Sequence, residues 1–143
     1  MHLPDLRATE RFAAIVAAAM RPGDAILLSG PLGAGKTAFA RALLRAATDD
    51  PALEVPSPSF TLVQTYETPR GRVHHYDLWR LDGLSALAEL GWDDARDDIV
   101  LVEWPDRLGG LAPPNALRLD FALTGSDART VTIEGWSGRL ADP

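Results

Sequence analysis

Cysteine is absent from this chain of 143 residues, which excludes a disulfide framework and any thiolate metal centre. Histidine is scarce: His2 and the adjacent His74 and His75 are the three, and they do not by themselves make a zinc site. Long apolar runs are missing as well. Residues 7–20 carry Glu10 and Arg11, so the N-terminal stretch does not read as a signal peptide, and nothing approaches the roughly 20 apolar residues a membrane span needs. The expected setting is the cytoplasm, with no membrane partner. Basic charge is in deficit, with a net charge of −6. That argues against the clustered Lys/Arg surface by which proteins displace counterions from nucleic-acid phosphates, so RNA contact is expected to pass through a partner. Scarcest among the charged residues is lysine. Lys36 is the only one, against thirteen arginines.

That lysine sits in Gly30-Pro31-Leu32-Gly33-Ala34-Gly35-Lys36-Thr37, which matches the nucleotide-phosphate loop G-x-x-x-x-G-K-[ST]. A compact ammonium reaching the β- and γ-phosphates is not readily replaced by a planar guanidinium. Residues 24–29 form a short apolar run between Pro22-Gly23 and Gly30 and read as a buried strand feeding the loop. Residues 37–47 read as the helix that follows. Glycines at 30, 33 and 35 permit positive φ and close approach, so successive N–H groups can line an anion nest at the helix N-terminus, where the macrodipole favours phosphate. Leu32 and Ala34 complete that nest, and Thr37 is placed to put its hydroxyl on Mg²⁺. The bland reading, a Gly-rich turn with a chance Lys-Thr, does not account for strand before and helix after. Guanine-specific loops read their base with an Asn/Thr-Lys-x-Asp segment, and a chain whose only lysine is already used cannot contain one; ATP is the expected nucleotide.

The rest of the chain has one domain's worth of hydrophobic content, 46%, without repeat, linker or low-complexity segment; a single domain over 1–143 is expected. Phe12, Ile15, Val16 and Ala19 recur at helical spacing, so 7–20 reads as an amphipathic helix with Thr9 and Glu10 as a possible cap. Residues 48–59, with Pro51, Pro56 and Pro58, read as a stiff-jointed loop. Runs 60–66 and 72–79 flank Thr68-Pro69-Arg70-Gly71 and read as an antiparallel hairpin. A short helix over 84–90 follows. Residues 99–102 are continuously apolar, as in a strand buried on both faces. Alternation over 117–123 and 129–136 predicts a last hairpin with one solvated face. The sum is an α/β fold: a mixed sheet flanked by helices, P-loop-like, with antiparallel hairpins.

The strand at 99–102 runs into Glu103. An apolar strand ending in an acid is how P-loop proteins set a carboxylate beside Mg²⁺, because ligands collect at the carboxyl edge of parallel strands. Glu103 can hold the ion through a water or orient the attacking water. Trp104 could stack on a nucleotide or be a core aromatic. Asp77, read from the residues alone, is best taken as a hairpin-end acid paired with Arg80. His75 reads as structural, since the sequence supplies no partner to orient it as a base. Asp93, Asp94, Asp97 and Asp98 form an acidic cluster, expected to be a solvated loop or helix end and only secondarily a partner patch or metal site.

Four ordered segments, Gly30 to Thr37, Ser57-Pro58-Ser59-Phe60, His75 through Arg80, and Glu103-Trp104, resemble the TsaE (YjeE-type) P-loop ATPases of bacterial tRNA threonylcarbamoyladenosine biosynthesis. The resemblance spans roughly residues 9 to 136. Pro31 stands where that pattern has an acid, Ser59 where it has threonine, and Trp79 where it has tyrosine. The resemblance implies a small ATPase, slow or silent by itself, that acts with a TsaD–TsaB pair. That pair transfers the threonylcarbamoyl group to the adenosine beside the anticodon, and tRNA is met only through the complex. It also implies ATP and Mg²⁺ as cofactors, Lys36 on the phosphates, Thr37 and Glu103 on the metal, and Asp77 as a second acid near metal or water. Ser59 would sense the γ-phosphate, and Thr9 and Trp104 would border the nucleotide. A small-molecule kinase would use the same loop, but would need an acceptor pocket and usually an Arg-dense lid, and no such insertion is evident.

Overall fold

The computed structural model describes residues 1–126 and 128–141; the expected extent of the domain, 1–143, includes three residues outside that set. One seven-stranded sheet organises the chain, with strand order β1-β7-β6-β2-β5-β4-β3. The strands are β1 (His2–Leu3), β2 (Ala25–Ser29), β3 (Val63–Thr68), β4 (Gly71–Asp77), β5 (Ile99–Glu103), β6 (Leu117–Leu123) and β7 (Arg129–Glu134). β2 pairs in parallel with both β5 and β6, β4 pairs in parallel with β5, and the outer pairs β3–β4, β6–β7 and β1–β7 are antiparallel.

Side-chain alternation along the central strands divides the core in two. Ile26 and Leu28 of β2, with Ile99 and Leu101 of β5, face helices α1 (Leu6–Ala19) and α2 (Lys36–Thr48), meeting Phe12, Phe39, Leu43 and Leu44. Ala25, Leu27, Val100 and Val102 face the other way. There they meet Tyr76, Leu87, Trp92 and Leu108, contributed by β4, by the short helices α3 (Leu84–Glu89) and α4 (Trp92–Ala95), and by a 3₁₀ segment over Pro105–Leu111. A period of two on strands covered on both faces gives this continuous apolar reading with opposite destinations. Fully burying one such side chain stabilises by roughly 1.5–3 kcal/mol, so the central strands are held mainly by these two layers.

The differences from the sequence reading lie at boundaries. The β3–β4 hairpin runs through Thr68↔Gly71, which leaves a two-residue loop, Pro69-Arg70, where a tetrapeptide was expected. Phe60 is outside the strand and largely exposed. The chain turns first, through a Leu62 N–H to Pro58 carbonyl bond of 2.7 Å with Leu62 in a left-handed conformation, φ 69°. β4 ends at Asp77 rather than 79 and β7 at Glu134 rather than 136. β1, α4 and the 3₁₀ segment were not anticipated. The cap of α1 is Asp5, whose carboxylate accepts from the Ala8 N–H at 2.9 Å, and not Thr9 or Glu10. Asp93 and Asp94 occupy the first turn of α4, where an N-terminal macrodipole favours acids. Among the described residues no helix is long and apolar enough to cross a membrane.

Tyr76 ties the second layer together. Its ring meets Trp92 edge-on at 5.2 Å and its hydroxyl donates to the Leu90 carbonyl at 3.0 Å. Burial pushes the phenol up to about 12 from an ordinary value of about 10. Between those values the unfolded chain has released a proton that the folded chain keeps, so stability falls as pH rises through that window. Tyr76→Phe should cost about 1 kcal/mol near neutral pH for the lost hydrogen bond and should flatten the alkaline loss. Urea unfolding of both proteins near neutrality and above pH ~10 checks this; identical alkaline slopes would assign the sensitivity to another group.

Candidate functional site

β2 delivers the chain to Gly30 at the carboxyl edge of the sheet, and α2 starts at Lys36 with Gly35 as its N-cap, φ 109°. Gly30 has φ 131°, and a Cβ there would run into the backbone carbonyl of Phe121 on the neighbouring β6. The loop can therefore close over the sheet only without a side chain at that position. At Gly35 a Cβ would press on the Arg129 side chain, 3.4 Å from Nε.

Three parallel strands end level here. Leu28 is the Cα partner of Glu103, and Glu103 is in turn the partner of Asp77. Alternation turns Val73, His75 and Asp77 of β4 toward the same side of the sheet as Leu101 and Glu103 of β5, the side on which α2 packs. The Glu103 carboxylate is 2% exposed and has both oxygens engaged. Oε1 accepts from the Thr37 hydroxyl at 3.1 Å, and Oε2 lies 2.8 Å from Nε2 of the fully buried His75. Asp77 is also buried. Its Oδ2 accepts from the Ser59 hydroxyl at 3.3 Å and its Oδ1 from the Trp79 N–H at 3.1 Å; Ser59 in turn is 2.8 Å from the Ser57 hydroxyl. The expected Asp77–Arg80 pair is not formed. Arg80 instead stacks its guanidinium over Phe60 at 4.8 Å, because the strand has ended at Asp77 and the backbone N–H two residues on takes up the free carboxylate oxygen.

Lys36 lies under the loop with its Nζ donating to the Gly30 carbonyl and 3.3 Å from the centroid of the Trp104 ring. Burial lowers its pKa, and the carboxylates of Glu103, Asp77, Asp106 and Asp120 pull the other way. Trp104 takes the left-handed conformation, φ 60°, just beyond β5. It meets the half-exposed Trp79 at 4.4 Å between ring centroids. Trp104 thus forms a wall of the site while also packing against the second apolar layer.

Together these groups line a cleft of about 380 Å³ that takes in Leu32, Gly33, Gly35, Lys36, Thr37, Ser59, Asp77, Glu103 and Trp104. Ala34 is buried beneath the loop and Leu32 projects outward, 72% exposed. Thr9 is not in this cleft. It borders an adjoining pocket of about 330 Å³ with Asp5 and Leu6. Arg129 of β7 lines both, and its Nε is buried without a hydrogen-bond partner among the described residues. Nothing local marks Arg129: only the fold brings β7 beside the loop. His75 was read as structural for lack of a partner, and the partner is Glu103, 28 residues away.

Among the described residues no group of three or more His, Cys, Asp or Glu side chains could hold a metal by itself. The donors that converge are a hydroxyl and two carboxylates, hard oxygens that suit Mg²⁺ completed by water and phosphate oxygens rather than an all-protein cage. The buried, unpartnered Arg129 Nε beside the loop fits an anionic occupant over it.

Residues 3–131 match the family "Threonylcarbamoyl adenosine biosynthesis protein TsaE". The chain is 32% identical over 135 residues to the tRNA threonylcarbamoyladenosine biosynthesis protein TsaE of Rickettsia prowazekii, covering 93% of each chain. It is 37% identical over 125 residues to the protein of that name from Aquifex aeolicus, covering 87% of each. Among solved structures it is similar to Bacillus subtilis YdiB, with a TM-score of 0.77 and 25% identity over 98% of this chain and 86% of that one.

The loop geometry separates two glycines that the motif treats alike. Gly33, φ 80°, has open space where a Cβ would go, so Gly33→Ala should carry only the left-handed strain of roughly 1–2 kcal/mol. Gly30→Ala must in addition displace backbone and should cost clearly more. Urea unfolding of the two variants measures the difference, and equal costs would mean that the loop does not close on Phe121.

Proposed function

Because this chain belongs to the TsaE family of tRNA threonylcarbamoyladenosine biosynthesis, we propose that it binds ATP with Mg²⁺ over Gly30 to Thr37 and hydrolyses it. In this reading it acts beside TsaD and TsaB and is not itself the transferase. The observation that carries the proposal is the Thr37 hydroxyl 3.1 Å from the Glu103 carboxylate at the N-terminus of α2, with Asp77 in register beside Glu103. The two donors expected on the metal are thus held against one another.

Lys36 leaves the Gly30 carbonyl and the Trp104 face to reach the β- and γ-phosphates. The loop N–H groups hold the phosphate oxygens, and Thr37 with Glu103 holds Mg²⁺. When bound, the ion neutralises charge developing on the phosphate oxygens. Asp77, hydrogen-bonded to Ser59, is the second acid, near the water that attacks, and Ser59 links the 48–59 loop to that acid. Thr9 and Arg129 border the adjoining pocket, a place for the remainder of the nucleotide. The acidic balance of the chain, −6 overall, supports attachment to the modification complex through protein contacts, with tRNA met indirectly.

Lys36→Ala removes a charge-assisted contact worth about 1.5–3 kcal/mol and should weaken ATP binding roughly 10- to 150-fold. Glu103→Ala should leave nucleotide affinity largely in place and chiefly lower Mg²⁺-dependent hydrolysis. Titration with a fluorescent ATP analogue together with steady-state phosphate release separates the two, and normal hydrolysis by Glu103→Ala in the assembled complex would remove that residue from the mechanism. The purified chain should bind tRNA weakly or not at all at physiological salt. It should instead co-elute with TsaD–TsaB in a nucleotide-dependent way. Submicromolar tRNA binding without any association with those proteins would sink this assignment and favour a small-molecule kinase.

A further inference from the structure

Of the buried polar side chains in the described residues, His75 is the one with no exposure at all, and the reading above gives it no task. Its Nδ1 has no hydrogen-bond partner among those residues. Among the described residues the ring's only polar contact is Nε2 to Glu103 Oε2, 2.8 Å. A histidine kept only to fill space would be poorly suited to this position, since a buried polar atom without a partner costs free energy that an apolar ring of similar size would not. With the Glu103 carboxylate able only to accept, Nε2 is the donor, and Nδ1 is the orphan.

The register explains why this contact forms. Glu103 pairs across the parallel ladder with Asp77, and His75 is two residues back along β4 on the same face, so the imidazole meets the carboxylate diagonally from below. A glutamate's terminal torsion is broad and roughly two-fold, so an untethered carboxylate would present either oxygen, or both, to whatever lies above. Here Oε2 is tied down into the sheet and Oε1 is left facing the Thr37 hydroxyl.

We propose that His75 is a positioning residue that commits Glu103 to act through one oxygen, Oε1, on the Thr37 side. The inference rests on the proposed Mg²⁺–ATP site and refines it. Glu103 serves the metal, and orientation of the attacking water falls to Asp77, whose Oδ2 is held by nothing firmer than the Ser59 hydroxyl at 3.3 Å.

The test uses the full chain with His75→Leu, His75→Asn and His75→Gln. Leucine removes the donor, asparagine is too short to bring an N–H to the Nε2 position, and glutamine places its amide nitrogen there. A fluorescent ATP analogue is titrated first in EDTA and then at fixed concentration with MgCl₂, and thermal unfolding is followed alongside. Outer-shell partners of metal ligands typically carry about 10- to 100-fold in metal affinity. Leucine and asparagine should therefore raise the Mg²⁺ concentration for half-maximal response by about that factor, with nucleotide affinity in EDTA unchanged, and glutamine should restore it. Should the leucine variant fail to fold, the asparagine and glutamine pair decides. A wild-type Mg²⁺ midpoint in the asparagine variant, no recovery with glutamine, or loss of EDTA affinity in step with thermal stability would each overturn the positioning role. A wild-type protein that shows no Mg²⁺ response would instead overturn the proposed site, and this inference with it.

Discussion

The level ending of three parallel strands is the constraint on which the site depends. Leu28, Glu103 and Asp77 share one rung of the ladder, so whatever follows β2, β5 and β4 emerges at the same edge. A slip of one residue in β5 would turn Glu103 to the opposite face, toward Tyr76 and Trp92, and a slip of two would carry it a further ~6.6 Å from its rung. The apolar alternation forbids the first slip, and the second would draw Asp97 or Glu103 into the buried apolar stretch. Ile99 and Leu101 fit against α1 and α2, Val100 and Val102 against the other layer, and exchanging them would misplace four buried side chains at once. The constraint has a cost, since it roots two carboxylates side by side on neighbouring strands whose backbones lie roughly 4.8 Å apart. Like charges so placed repel. Hydrogen bonds from Thr37, His75 and Ser59 and the ammonium of Lys36 offset that repulsion.

Sequence legibility follows the distance over which each feature is decided. The phosphate loop, its strand and its helix are settled by neighbouring residues, and they read correctly to within a residue or two. The buried character of β5 and its terminal Glu103 were legible for the same reason. Asp77 could not be placed with respect to Arg80 because that depends on where β4 stops, and β4 stops at the residue whose side chain then caps the following turn. Phe60 read as strand on composition, yet the Pro58 carbonyl turns the chain back through Leu62 before pairing starts. His75 and Arg129 were opaque. Their partners lie on strands far along the chain, and no local pattern specifies which strand will be adjacent.

Lys36 shows how the surroundings give the motif its character. Its ammonium rests on a carbonyl and an indole face, with burial working against its charge. In the proposed ATP site such a group would lose little on exchanging these partners for phosphate oxygens, which bind ammonium more strongly.

The order of strands also determines when the sheet can exist. β2 lies between β5 and β6, both of which come more than seventy residues later, and β1 closes against β7 through His2↔Thr130. Only the β3–β4 and β6–β7 hairpins can form from local chain. Ribosomes add roughly 5–20 residues per second, so the apolar strand leading into the phosphate loop waits on the order of several seconds for either neighbour. Refolding should be slowed by the same strand order, because a loop of about half the chain must close before β2 pairs with β5.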